Sequence, residues 1–123
     1  MAPTAGFLDH LQELLEPLAP VTVRRMFGGA GIFAEGLMFG LVAQETFYLK
    51  ADDSTRAMFE AEGMTPFTYD TAKGGRTVMS YWRVPDRLLE DSKELVGWAR
   101  TALAVARRGA AKARTKPRAR SRR

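Results

Sequence analysis

The chain has 123 residues, 46% hydrophobic and 27% charged, which is the size and composition of one domain with one buried core. It has no cysteine and a single histidine, His10, which excludes disulfide frameworks, thiol nucleophiles, Cys-based zinc sites and His-cluster metal sites. The net charge of +5 is unevenly spread: residues 107–123 hold nine of the 19 Lys and Arg and no acid, leaving ten cations against 14 acids, net −4, in residues 1–106.

Taken in chain order, the first predicted helix is capped by Thr4 and carries Phe7, Leu8, Leu11, Leu14, Leu15 and Leu18 along one face. Pro17 and Pro20 limit its end. Residues 21–27 are β-branched and aromatic and read as a strand, which Gly28-Gly29-Ala30-Gly31 breaks. The apolar runs 32–34 and 37–42 are joined through Glu35-Gly36, a tight hairpin turn. Residues 46–50 alternate, with Phe47 and Leu49 on one face and Tyr48 and Lys50 on the other. Asp52 or Asp53 is expected to cap a short second helix bearing Met58 and Phe59, with Gly63 as its left-handed stop. Residues 66–70 and 76–82 read as strands around a Lys73-Gly74-Gly75 turn. Pro85 opens a helical turn, and Asp91 and Glu94 have the spacing of a capping box. The last helix buries Leu95, Trp98, Ala102 and Val105 and is expected to fray near Gly109.

The order is helix, three or four strands, helix, two strands, helix. Short connections force antiparallel pairing, and helices gathered on one face give an α+β, two-layer antiparallel sheet with flanking helices. The expected division is a folded domain over 1–106 and a basic, disordered tail over 107–123. No apolar run approaches the roughly 18–20 residues of a membrane span, and no secretory leader stands at the N-terminus, so a cytoplasmic protein is expected.

Few motifs carry chemistry. Residues 29–34 fit a loose G-x-G-x-x-A dinucleotide fingerprint, but a hairpin follows the glycines where the fingerprint needs a helix, so they read as structural glycines. Lys73-Gly-Gly-Arg-Thr77 lacks the rest of a phosphate loop, and Asp52-Asp53 has too few neighbours to hold a cation. The methionines and most aromatics read as core. Arg24-Arg25 stands out, because adjacent strand residues point to opposite faces and one cation must share a face with apolar neighbours. Two readings follow: a salt bridge to a helix carboxylate, or an interaction site made of Arg24 and Arg25 with Tyr48 and Lys50. The tail cations Arg107, Arg108, Lys112, Arg114, Lys116, Arg118, Arg120, Arg122 and Arg123 have the density of a nonspecific nucleic-acid arm.

Arg24-Arg-Met-Phe-Gly-Gly29 with Gly31, then Phe39 and Tyr48-Leu-Lys50, resembles the N-terminal domain of the TfoX/Sxy competence regulators. Gly63-Met64, Pro66-Phe67, Tyr69, Met79-Ser-Tyr81, Pro85 and Trp98-Ala99 extend the resemblance over about residues 7–106. The resemblance implies a fold similar to the type III secretion chaperones, a homodimer, and no catalytic residues or cofactor; from the residues themselves no metal site is expected. Full-length members of that family act in transcriptional co-regulation of DNA uptake with the cyclic-AMP receptor protein and carry a second, C-terminal domain; here a basic tail stands in its place. The expected protein is a non-enzymatic regulator or adaptor that meets a protein partner through its domain and nucleic acid through its tail, without membrane association. The alternative is a protein-interaction or chaperone-like module without a nucleic-acid role.

Overall fold

A computed structural model describes residues 3–26, 28–70 and 76–115. Ten elements follow one another: α1 (Ala5–Leu14), β1 (Thr22–Met26), β2 (Gly29–Ala34), β3 (Leu37–Ala43), β4 (Thr46–Lys50), α2 (Arg56–Glu60), β5 (Pro66–Asp70), β6 (Arg76–Arg83), a 3-10 turn (Asp86–Glu90) and α3 (Ser92–Thr115). The strands form one sheet in the order β1-β2-β3-β4-β6-β5, with every neighbouring pair antiparallel. This is the α+β architecture that the pattern of the sequence predicts. No helix among the described residues is long and apolar enough to cross a membrane.

Local chemistry explains the boundaries. Thr4 caps α1, its hydroxyl accepting from the amide of Phe7 at 3.1 Å. The chain then leaves the helix at Leu15, short of Leu18, and turns toward Pro20. Glu35 and Gly36, with φ of 57° and 76°, make the left-handed two-residue turn that matches the twist of a hairpin. Asp52 does not cap α2 directly. Its Oδ1 accepts from the amide and hydroxyl of Ser54 at 3.0 and 2.7 Å, a local turn that leads into the helix at Arg56. Gly63 supplies the expected left-handed residue after α2 with φ of 76°. Asp91 Oδ1 accepts from the amide of Glu94 at 3.2 Å and starts α3. The Lys73-Gly74-Gly75 turn lies outside the described residues.

The glycines after β1 do more than break a strand. Only Gly28 turns the chain, with φ of 77°, whereas Gly29 and Gly31 stand inside β2. A Cβ on Gly29 would collide with the carbonyl oxygen of Val42 on β3. The glycines thus serve close strand approach, and no helix follows them, as the rejection of a nucleotide fingerprint requires.

The core lies on one side of the sheet. Ile32, Phe39, Val42, Phe47 and Leu49 from the strands meet Leu95, Ala99, Ala102 and Leu103 from α3, which lies across β3 and β4. Leu8, Leu11 and Leu15 close one end and Phe59 the other, where its ring meets Trp98 edge-on at 5.0 Å. Phe39 reaches this core through a bulge: Ile32 pairs with Gly40 and Phe33 with Met38, so Phe39 is the extra residue. We predict that Gly29→Ala lowers the stability in urea denaturation by about 1–3 kcal/mol through overpacking. Gly97→Ala, on the exposed side of α3 with nothing within 4 Å of its Cβ, raises it by about 0.5–1 kcal/mol.

Candidate interaction surface

All three helices pack on the core side, so the opposite face of the sheet has no covering layer among the described residues. An antiparallel sheet with one wet face ordinarily alternates apolar and polar residues. Here the wet face is apolar too. Met26, Phe33, Met38, Leu41 and Tyr48 all stand outside the core cluster and are half-buried by one another. Three of them converge above Gly31, where a Cβ would meet Phe33 Cε1 at 2.9 Å, Met26 Cε at 3.0 Å and Met38 Sδ at 3.2 Å. Gly31 is the hollow in which these side chains lie. Farther along, the ring of Tyr48 meets Phe67 edge-on at 5.1 Å. Tyr81 donates its hydroxyl proton to the carbonyl of Met38 at 3.3 Å, and burial raises its pKa.

Cations border this patch by lying on its rings. The Arg24 guanidinium sits 5.4 Å from the centre of Phe33, and the Lys50 ammonium 4.9 Å from that of Tyr81. Lys50 also donates to Ser80 Oγ at 3.3 Å. Arg83, paired across from Tyr48, bonds Asp86 at 3.3 Å.

Of the four candidate site residues, Arg24, Tyr48 and Lys50 thus share the open face, with Arg24 three strands away from the other two. Arg25 points the other way. It donates from Nη1 to the carbonyl of Pro3 at 2.9 Å and ties the N-terminal segment to β1. Among the described residues, neither arginine makes the helix salt bridge that the sequence suggested. Met26 and Met38, expected in the core, line the open face; Met58 and Met64 do pack against the core. His10 is exposed on α1. Among the described residues, no group of three or more His, Cys, Asp or Glu is placed to hold a metal ion.

The first cations of the expected tail belong to the fold. α3 continues past Ala106 and Gly109 to Thr115, because Arg107 and Arg108 are each anchored to the sheet side. Arg107 donates to Glu35 in the β2–β3 turn, its Nε at 2.9 Å from Oε1. Arg108 donates to Asp52 after β4 at 2.9 Å. Neighbouring side chains thus straddle the helix and clamp it to two separate loops. The hydrogen bond from Arg107 holds the Glu35 carboxyl below its ordinary pKa, and the bonds from Arg108 and then Ser54 hold Asp52 well below its own. Lys112 stands one turn beyond Arg108. Lys116, Arg118, Arg120, Arg122 and Arg123 lie outside the described residues, and Arg114 is described in its backbone alone.

A family model described as the TfoX N-terminal domain matches residues 13–106. The chain belongs to the TfoX N-terminal domain family. Among curated proteins, none matches the chain. The match begins within α1 and ends inside α3, so all six strands of this TfoX domain fall within it. Its Arg24–Gly31 run builds the β1–β2 hairpin that carries one end of the open face. Phe33, Met38 and Leu41 are the surface residues that reading the sequence as core missed. The available signal was the continuous apolar run 37–42, which alternation on a single buried face would not produce.

Two predictions follow from this geometry. Leu41→Gln, on the open face, changes stability in urea denaturation by less than about 1 kcal/mol, whereas Leu49→Ala, fully buried, costs about 2–5 kcal/mol. The clamp adds a pH dependence whose sign is set by the lowered carboxyl pKa values. Its stabilisation is complete above about pH 5, beyond the ordinary carboxyl values, and is lost as the pH falls below these toward the lowered values of Glu35 and Asp52. In thermal melts followed by circular dichroism, the midpoint therefore falls less on acidification for the Glu35→Gln, Asp52→Asn double variant than for the parent chain.

Proposed function

We propose that this TfoX-family protein is a non-catalytic regulatory adaptor. Its open sheet face docks a protein partner, and the basic C-terminal segment adds nonspecific affinity for nucleic acid. The observation that carries the reading is the apolar sheet face that no helix covers among the described residues. A contiguous apolar patch at the surface of a folded domain is a mark of interaction. Methionine and aromatic side chains suit such a surface, since they present large, adaptable apolar area. Arg24 and Lys50 border it as cations, and Arg83 does so paired with Asp86, so the partner segment that fits is apolar with acidic flanks. A second copy of the chain is a less complementary occupant, because like cations would meet.

The C-terminal cations have a different task. Those beyond Thr115 number five without an acid, and each phosphate they neutralise releases counterions. Such binding is blind to sequence and serves to hold a regulator near nucleic acid while the domain engages its partner. This division fits a cytoplasmic role in transcriptional co-regulation.

A crossed pair of variants tests the reading. One carries Phe33→Asp and Leu41→Asp; the other has all five cations of 116–123 replaced by Gln. Affinity-tagged forms are assayed for retained protein from the producing cell and, by fluorescence anisotropy, for binding a labelled duplex over a salt series. The face variant loses the retained protein and keeps duplex binding. The tail variant keeps the protein and loses the duplex, with the slope of log affinity against log salt falling by about 0.9 per contact removed. Equal losses in both assays for either variant would defeat the proposed division.

A further inference from the structure

A cleft of about 680 Å3 opens on the helix side of the sheet, between the last turns of α3, the loop after β4 and the β5–β6 strands. It lies across the sheet from the open face, and Lys50 at the sheet edge borders both. Its floor is apolar: Pro66 and half-buried Trp82 from the sheet, and Val105 from α3. Its rim is cationic. Arg108 and Lys112 project from α3 one turn apart, and Arg56 and Lys50 approach from α2 and β4. Two carboxylates share the rim, and each already holds a guanidinium: Asp52 bonds Arg108 at 2.9 Å, and Asp53 bonds Arg56 at 3.0 Å. These pairs offset the negative charge locally and hold both arginines in place. The four cations of the rim still outnumber its two carboxylates.

An apolar aromatic floor beneath a ring of guanidinium and ammonium groups suits a ligand that is flat at one end and anionic at the other. The volume falls in the range of small-molecule sites, about 300–1,000 Å3. We propose that this cleft binds a nucleoside phosphate, the base lying against Trp82 and Pro66 and the phosphate reaching Arg108, Lys112 and Arg56. Arginine forks and lysine point charges both match phosphate oxygens. An aromatic ring accepts any base through its π-face, so the site is indifferent to which base arrives. The nucleoside phosphate is supplied either as a free nucleotide or as one residue of a single strand. This inference goes beyond the electrostatic role proposed for the tail, and it stands on the cleft alone.

The full chain is titrated with adenosine 5′-monophosphate, and separately with an oligothymidylate of about ten nucleotides, while tryptophan fluorescence is followed. Both probes quench saturably, and Trp82→Phe removes the quench while Trp98 still reports a folded core. Lys112→Glu, on an exposed helix surface, weakens both probes by about tenfold or more, as loss of a charged phosphate contact requires. Arg56→Glu does the same from the other wall and covers the case in which one variant fails to fold. Strand binding weakened by these variants, without mononucleotide binding, supports the site and identifies the strand as its source. The proposal is overturned if neither probe quenches, or if both cleft variants bind as the parent does. Strand binding that vanishes only when the 116–123 cations are neutralised also overturns it, and leaves the function proposed for the tail intact.

Discussion

The rest of this structure depends on one packing event, the laying of α3 across β3 and β4. Leu95, Ala99, Ala102 and Leu103 meet Ile32, Phe39, Phe47 and Leu49, and these eight side chains are essentially inaccessible to water. Burial of each large apolar side chain contributes roughly 1.5–3 kcal/mol, so this interface supplies most of the drive to fold. The alanines set the distance. With methyl groups on the contacting side, the helix lies close enough for phenylalanines beneath it to fill the space. A sheet of six strands and one long helix then has its hydrophobic requirement met on a single side.

That one-sided core has two consequences. The first is a sheet face that no helix covers among the described residues, and the sequence makes that face apolar instead of polar. The bulge at Phe39 matters here. Without the extra residue, Phe39 and Met38 would exchange faces, because the side-chain period of a strand is two. The bulge sends Phe39 to the core and leaves Met38 beside Phe33 and Met26. The core face and the open face are thus built from alternate residues of the same strands. The open face is held rigidly, since each of its side chains is flanked by core residues.

The second consequence is that α3 outruns the sheet that supports it. Its last turns would fray if left free, and ion pairs to two loops prevent this. Exposed pairs of this kind are individually weak, about 0–1 kcal/mol. Their effect here is positional. Arg107 and Arg108 hold the helix end against the β2–β3 turn and the loop after β4, and that placement forms the wall of the Trp82 cleft. Charge that composition alone assigns to a tail is therefore partly structural.

The sequence by itself determined the elements and the fold class. Periodicity in residues 5–15 and 92–106, the Glu35-Gly36 turn and the Thr4 and Asp91 caps are local signals, and each acts within a few residues of its own position. The Arg24–Gly31 run likewise carried the family. What only the tertiary structure decided was the side of the sheet on which each apolar residue falls. Met26, Phe33 and Met38 are indistinguishable by hydrophobicity from Ile32, Phe39 and Phe47. Strand register, the bulge and the position of α3 separate them, and all three depend on contacts distant in the chain. The same holds for Arg24 and Arg25: alternation showed that they face opposite ways, but the identity of their partners, a phenyl ring and a backbone carbonyl, required the fold. Arg107 and Arg108 read as tail because sequence displays their charge and hides Glu35 and Asp52, which lie 72 and 56 residues away and become neighbours only when the helix packs.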